Sequence, residues 1–228
     1  MSELGRGAFT SVGKDNGLSY YGYRKGKPAD GSSPEKGFNY EAVNLGVLSI
    51  EKRLVELGYN LKVDGIFGPH VRDAVKDFQG KVEITQSGDV GYQTGPALFH
   101  GTIAGNGESF NFNPAFIWGI MKQESGGDPG AVGYYTPGDR GLYQYNTLVH
   151  DITYAQAHDH NWATEAVFSR FNNAWKKYRG KGEEMRTNCS IAQHNAPAWA
   201  DEWFDTGSAP NTTILQYVGR VQSYATTF

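Results

Sequence analysis

Apolar side chains recur at helical spacing in several stretches of the chain, and this pattern predicts a mainly α-helical protein. In the N-terminal half, one stretch stops at Gly58-Tyr59, and the next begins at Gly68-Pro69 and stops at Gln79-Gly80, residue types that often mark helix ends. Strand-like alternation is scarce. The apolar positions of these two helices are Val47, Ile50, Leu54 and Leu57, then Val71, Ala74, Val75 and Phe78; two C-terminal helices carry Val167, Phe168, Phe171, Trp175 and Tyr178, then Ile214, Tyr217, Val218 and Val221.

A short motif occurs twice near the first two predicted helices. Residues 63–68 contain an Asp-Gly turn between apolar residues, and residues 86–94 contain a weaker copy. Each copy leads toward a helix, so the pair reads as a small internal repeat.

The composition along the chain changes in a way that predicts four segments. Residues 1–40 are rich in Gly, Lys, Ser and Tyr without periodicity, which predicts an extended or loosely ordered arm. A small helical domain follows over residues 41–99. Residues 100–112 are Gly-rich and are predicted to form a linker. Residues 113–228 then form a second helical domain.

Glu124 is the best candidate for acid–base chemistry. It ends an apolar helix that starts with Asn113 and Pro114 and stops at Gly126 and Gly127. Seven, four and three positions before Glu124 the helix carries apolar residues, so the carboxylate falls on the buried stripe. Desolvation and the negative end of the helix dipole both favour the neutral form, and we therefore predict a raised pKa for Glu124, as a general acid requires.

The overall composition excludes several classes of protein. A net charge of −3 gives no general attraction to nucleic acid, and no apolar run is long enough for membrane insertion. The single cysteine, Cys189, lies beside Ile191 and Ala192 and is predicted to be a packed core thiol. Residues Met1–Arg6 lack the apolar stretch of a secretory signal, so we expect synthesis in the cytoplasm. We predict a monomer without a cofactor.

Residues 42–99 resemble the three-helix peptidoglycan-binding domain. The resemblance rests on Leu57-Gly58-Tyr59, on residues 63–68 and on residues 74–79. Val71 departs from the threonine usual in that family after the turn. The resemblance implies a partner, the glycan strands of peptidoglycan, and the residues of this module that we single out are Tyr59, Asp64, Phe67 and Phe78.

Four motifs in the C-terminal half look like those of soluble lytic transglycosylases, a lysozyme-like family, in the family's order: Glu124-Ser125, Asp128-Pro129, Gly141-Leu142-Tyr143-Gln144 and Asn195-Ala196. His194 and Pro197 stand where the family has tyrosine and glycine, and Tyr143 replaces a methionine. The resemblance implies a lysozyme-like helical catalytic domain that cleaves the β-1,4 bond between N-acetylmuramic acid and N-acetylglucosamine and leaves a 1,6-anhydromuramoyl product.

In that reading Glu124 is the catalytic acid, and the predicted substrate-binding residues are Ser125, Tyr143, Gln144, His194 and Asn195. Ser125 is expected either to bind substrate or to orient Glu124. Tyr143 and Tyr145 are expected either to stack on sugar rings or to lie in the core. Gln144 can hydrogen-bond the acetamido and hydroxyl groups of the sugar chain. Its alternative role is that of a polar residue at the start of a helix.

The order of the two domains resembles that of bacteriophage endolysins, which accumulate in the host cytoplasm and reach the wall after the membrane is permeabilised. Two alternatives remain open: a hydrolytic muramidase, and a non-catalytic cell-wall-binding virion protein. A muramidase would normally need a second carboxylate, for which Asp128, Asp139 and Asp151 are candidates, although Asp128 is expected to be a turn-former. His158-Asp159-His160 lacks zinc-site spacing; we expect an exposed polar turn and no metal.

Overall fold

A computed structural model describes residues 19–20, 23–24, 40–133 and 138–228, and it confirms the prediction of a mainly α-helical chain. The short strands β1 (Ser19–Tyr20) and β2 (Tyr23–Arg24) pair antiparallel; the rest of the predicted arm lies outside the described residues. A second antiparallel pair is formed by β3 (Asp139–Arg140) and β4 (Tyr145–Asn146). The helices are α1 (Tyr40–Glu56), α2 (Pro69–Lys81), α3 (Thr94–Phe110), α4 (Ala115–Glu124), α5 (Tyr154–His158), α6 (His160–Lys177), α7 (Glu183–Asn195), α8 (Pro197–Thr206) and α9 (Thr212–Ala225).

The chain divides into two compact units. The first unit comprises Met1–Phe99 and Glu124–Ala163, and the second comprises His100–Gln123 and Thr164–Phe228. The divisions fall inside α3, α4 and α6. Residues 124–163 therefore group with the N-terminal helices, whereas the sequence assigned them to a separate C-terminal domain. Within the described part of the chain, no helix combines the length and apolar character needed to cross a membrane.

The segment predicted as a linker, residues 100–112, is mostly helical and belongs to α3. Its glycines suggested a flexible connection, since each glycine in a helix costs about 1 kcal/mol relative to alanine. Packing offsets that cost: Thr102 and Ile103 are buried, and Gly107 lies so close to Pro114 that a β-carbon there would be 2.9 Å from the proline Cβ. The prediction of an irregular linker is therefore wrong.

In the first unit, α1 and α2 form as predicted. Val47, Ile50 and Leu54 are buried, and Leu57, just past the end of α1, is exposed. Helix α2 starts after Gly68 with Pro69 in its first turn and buries all four predicted apolar residues.

The two copies of the repeated turn are built alike. Gly65 and Gly88 both have left-handed backbone, with φ of 75° and 77°. A side chain from the preceding helix accepts a hydrogen bond from each glycine N–H: Glu51 from Gly65 at 2.8 Å, and Gln79 from Gly88 at 2.8 Å. Glu51 also accepts from the Asp64 N–H at 2.9 Å. Each turn is thereby fixed to the helix before it.

Helix α1 also packs against the start of α6, within the first unit. His160 is fully buried and its Nδ1 lies 3.0 Å from the Ser49 hydroxyl. Lys52 pairs with Asp159 at 2.6 Å, and the His160 hydrogen bond holds the pKa of Glu56 down at about 2. Because His158 is also buried, the prediction of an exposed polar turn at residues 158–160 is wrong.

The second unit has an aromatic core and a close helix crossing. Gly119 of α4 lies against α9, where a β-carbon would overlap the carbonyl oxygen of Val221. Cys189 is fully buried as predicted, and burial raises the pKa of its thiol to about 11. The ring contacts of the core are Phe110–Phe168, Phe112–Phe171, Phe112–Trp175 and Phe116–Phe171.

Candidate functional site

Helix α4 presents Glu124 as its last residue, within the predicted helix limits. The Asn113 side chain accepts a hydrogen bond from the Ala115 N–H at 3.0 Å and so caps the first turn. At the other end, Gly126 and Gly127 have φ of 65° and 86°, the left-handed backbone that terminates helices. The apolar residues preceding Glu124 are fully buried, and Glu124 itself is half-buried.

The loop after Glu124 is tightly built. Ser125 is buried, and its hydroxyl donates to the Leu142 carbonyl at 2.8 Å and accepts from the Gly127 N–H at 3.1 Å. The Asp128 side chain is also buried and accepts from the Gly130 N–H at 2.7 Å, which confirms it as a turn-former. Of the two predicted roles of Ser125, these contacts favour orientation of the Glu124 region over direct substrate binding.

Residues 141–144 connect β3 to β4 and form a turn, not the helix start considered for Gln144. Gly141 has φ of 72°, and a β-carbon there would overlap the Ala157 carbonyl oxygen. Gln144 has φ of 49°, an uncommon value for a residue other than glycine. Its side-chain nitrogen donates to the carbonyls of Gly141 at 2.9 Å and Ala131 at 3.3 Å. Such strained backbone persists where the surroundings hold it, often at functional sites.

Tyr143 is fully buried in the core. Its ring is therefore not placed to stack on a sugar, and the assignment of Tyr143 as a substrate-binding residue is corrected to a core residue. Tyr145 is buried as well and meets Trp162 edge to face, with ring centroids 6.0 Å apart.

His158 is a buried residue of this region that the sequence did not single out for the site. Its Nδ1 lies 2.6 Å from the Pro129 carbonyl oxygen; because a carbonyl can only accept, the ring donates from Nδ1. Burial lowers the pKa of His158 to about 4, assisted by the nearby Arg140 guanidinium and opposed by the Pro129 hydrogen bond. Arg140 is itself buried and lies over the Tyr154 ring at 4.9 Å. His158 thus holds the loop that follows Glu124.

No group of three or more His, Cys, Asp or Glu side chains that could hold a metal ion occurs among the described residues.

His194 and Asn195 end α7, and Pro197 begins α8 after the single residue Ala196. Proline in the first helical turn fits this abrupt change of direction. Asn195 is exposed and His194 is half-buried. Both belong to the second unit, whereas Glu124 and Gln144 belong to the first.

The residues singled out in the N-terminal module have different environments. Phe67 and Phe78 are buried and belong to its core. Asp64 is exposed and accepts from the Ile66 N–H at 3.0 Å, so it shapes the turn. The remaining residue, Tyr59, is half-buried; its hydroxyl donates to Asp77 at 2.7 Å, and the Lys81 ammonium lies 4.7 Å from its ring centroid.

Comparison with known proteins identifies one part of the chain. Residues 44–98 match the family described as "Putative peptidoglycan binding domain". The match supports a peptidoglycan-binding domain in the N-terminal region and association of this protein with peptidoglycan. It covers most of α1, all of α2 and the start of α3, and it ends before Glu124. No curated protein and no solved structure matches the chain.

Proposed function

We propose that this protein is a peptidoglycan-degrading enzyme that cleaves the β-1,4 bond between N-acetylmuramic acid and N-acetylglucosamine by lytic transglycosylation. The observation that carries the proposal is the position of Glu124, half-buried at the end of an apolar helix and in the same compact unit as the peptidoglycan-binding domain. Binding to an immobile polymer raises the local concentration of the catalytic residues on their substrate.

In the proposed reaction Glu124 first acts as a general acid. It protonates the glycosidic oxygen while the bond from that oxygen to the anomeric carbon of the muramoyl sugar breaks, with oxocarbenium character at that carbon. The resulting carboxylate then accepts the proton of the muramoyl 6-hydroxyl as its oxygen bonds to the anomeric carbon. The products are a free 4-hydroxyl on one sugar and a 1,6-anhydro ring on the other, and Glu124 is again protonated.

The environments of two of the three candidate aspartates, Asp128 and Asp139, favour this chemistry over hydrolysis. A hydrolytic muramidase would normally use a second carboxylate to direct water or to form a covalent intermediate. Asp128 is buried and caps the Gly130 N–H, and the Asp139 side chain accepts from the Asn146 amide at 2.9 Å. The Asp128 carboxylate therefore stabilises the loop after Glu124, and the Asp139 carboxylate stabilises the hairpin. Lytic transglycosylation needs only Glu124.

Two polar residues are proposed to bind the sugar chain. Gln144 is held in left-handed backbone by its hairpin, and its side-chain oxygen can accept from an acetamido N–H or a hydroxyl. Asn195 is exposed at the end of α7 and offers both a donor and an acceptor. His194, its neighbour, is also proposed to contact the sugar chain.

The biological role that fits this chemistry is lysis of a bacterial host by a bacteriophage. In that role the enzyme is made in the host cytoplasm and reaches the wall after a separate protein permeabilises the membrane.

The test separates wall binding from wall cleavage. Wild type, Glu124→Gln and the control Glu108→Gln, which changes an exposed carboxylate on α3, are compared for clearing of permeabilised cells and for co-sedimentation with purified sacculi. We expect Glu124→Gln to sediment like wild type but to lose clearing, and Glu108→Gln to retain both. A wild type that binds sacculi without clearing cells would identify a non-catalytic wall-binding protein instead.

A further inference from the structure

Tyr92 of the peptidoglycan-binding domain lies next to the loop that follows Glu124. A β-carbon at Gly126 would be 2.8 Å from both Cδ1 and Cε1 of the Tyr92 ring. The next residue, Gly127, is as close to Pro96, whose ring nitrogen would be 2.7 Å from a β-carbon there. The backbone after Glu124 therefore lies directly on the surface of the binding domain.

This contact brings the Tyr92 ring close to the proposed catalytic acid. Two residues of chain span at most about 7 Å, so the Cα atoms of Glu124 and Gly126 are no farther apart than that. Because Gly126 has no side chain, its backbone can approach the Cδ1–Cε1 edge of the ring. Tyr92 remains 48% exposed.

Tyr92 is also held in place by the turn that carries it. The Thr94 hydroxyl donates to the Asp89 carbonyl at 3.1 Å, and the Gln79 side chain donates to Thr94 at 2.8 Å. The Gly95 N–H donates to the Gly91 carbonyl at 2.8 Å and closes a helical turn around Tyr92. Because the turn is already fixed, binding of a ligand to the exposed ring does not cost the conformational entropy of ordering the backbone.

We propose that Tyr92 is a sugar-binding residue that the wall-binding domain contributes beside the cleavage point. A tyrosine ring offers a flat apolar face for the C–H face of a pyranose, and the ligand is the glycan strand of peptidoglycan. This inference rests on the function proposed for Glu124, since it makes the binding domain part of the substrate-binding surface as well as an anchor.

The experiment compares three variants on soluble, uncross-linked glycan strands. Tyr92→Leu keeps bulk against Gly126 but removes the aromatic face, Tyr92→Phe keeps the face, and Leu57→Ala is a control at another exposed apolar position of the domain, 40% exposed. We expect Tyr92→Leu to raise KM about fivefold, with kcat changed by less than about twofold, and Tyr92→Phe and Leu57→Ala to remain near wild type. The thermal unfolding temperature of Tyr92→Leu should match that of wild type.

The proposal would be overturned if Tyr92→Leu and Leu57→Ala had the same KM. It would also be overturned if Tyr92→Phe raised KM as much as Tyr92→Leu. A rise in KM that accompanies a fall in the unfolding temperature would overturn it as well, because such a rise would assign Tyr92 a structural role. A binding measurement distinguishes failure of the Tyr92 proposal from failure of the proposed function. The affinity of Glu124→Gln for glycan strands, measured with and without Tyr92→Leu, needs no catalysis and should also fall about fivefold; unchanged affinity contradicts the Tyr92 proposal alone.

Discussion

The Ser125 hydroxyl donates to the Leu142 carbonyl oxygen at 2.8 Å and thereby joins the residue after Glu124 to the hairpin that carries Gln144. The same hydroxyl accepts from the Gly127 N–H. One buried side chain thus fixes both the end of α4 and the turn between β3 and β4.

Removal of this hydroxyl should loosen the loop. In Ser125→Ala the Leu142 carbonyl and the Gly127 N–H lose their partner in a buried setting, so we expect a loss of about 1 to 3 kcal/mol in the free energy of unfolding, together with reduced wall-lytic activity. Ser109→Ala, at an exposed serine of α3, is the matched control and should change stability by less than about 0.5 kcal/mol. Urea unfolding of the two variants checks the prediction, and equal effects would contradict it.

The hairpin of β3 and β4 requires glycine at position 141, because there is no space for a side chain there. Gly141→Ala would place a β-carbon on the Ala157 carbonyl in left-handed backbone, and we expect a loss of about 2 to 4 kcal/mol in stability. Gly219→Ala is the control, because Gly219 is exposed on α9 and has open space around it; it should be neutral or up to about 1 kcal/mol stabilising. Thermal unfolding of both variants distinguishes a local clash from a general intolerance of alanine.

The binding domain depends on Glu51, a buried acid at the first repeated turn. Burial raises the pKa of Glu51 against the opposing hydrogen bonds from Gly65 and Asp64, so the carboxylate charge itself adds little stability. We expect Glu51→Gln, which keeps an accepting oxygen, to unfold within about 1 kcal/mol of wild type, and Glu51→Ala to lose roughly 2 to 4 kcal/mol. A Glu51→Gln as unstable as Glu51→Ala would show that the negative charge is required.

The lowered pKa of the buried His158 side chain predicts that the stability of the protein depends on pH. Its pKa is lowered in the folded protein, from 6.5 to about 4, so below pH 6.5 the unfolded chain binds a proton that the folded protein does not. Stability therefore falls as the pH falls from 6.5 towards 4. Glu56, with a folded pKa of about 2, adds its own loss only below about pH 4.5.

Urea unfolding at pH 7 and pH 5 isolates the histidine. We expect wild type to lose about 2 kcal/mol more than His158→Gln between these two values. Equal losses in the two proteins would mean that His158 is not held neutral by its burial against Pro129.

Local signals in the sequence were sufficient for much of the fold. The limits of α4, with Asn113 before it and Gly126 after it, follow from caps and glycines, and α1 and α2 follow from apolar spacing. The helix over residues 100–110 was missed because its stability comes from packing of Gly107 and its neighbours, which outweighs a poor local propensity.

The candidate site was harder to predict, because burial of polar groups depends on partners that are remote in sequence. Ser49 and His160 are separated by 111 positions, and no local pattern indicates that they meet. For the same reason Tyr143 was assigned to substrate although it lies in the core, and His158 was expected at the surface. The sequence indicates Glu124 as the candidate acid from its position on its helix, whereas the residues that position the loop after it are evident only from the fold.

Mass spectrometry of the fragments that wild type and Glu124→Gln release from purified sacculi tests the central claim most directly. We predict that wild type releases muropeptides ending in 1,6-anhydromuramic acid and that Glu124→Gln releases none. Release of hydrated, reducing ends by wild type would contradict transglycosylation. Equal release by the two proteins would contradict the role of Glu124 as the proton donor.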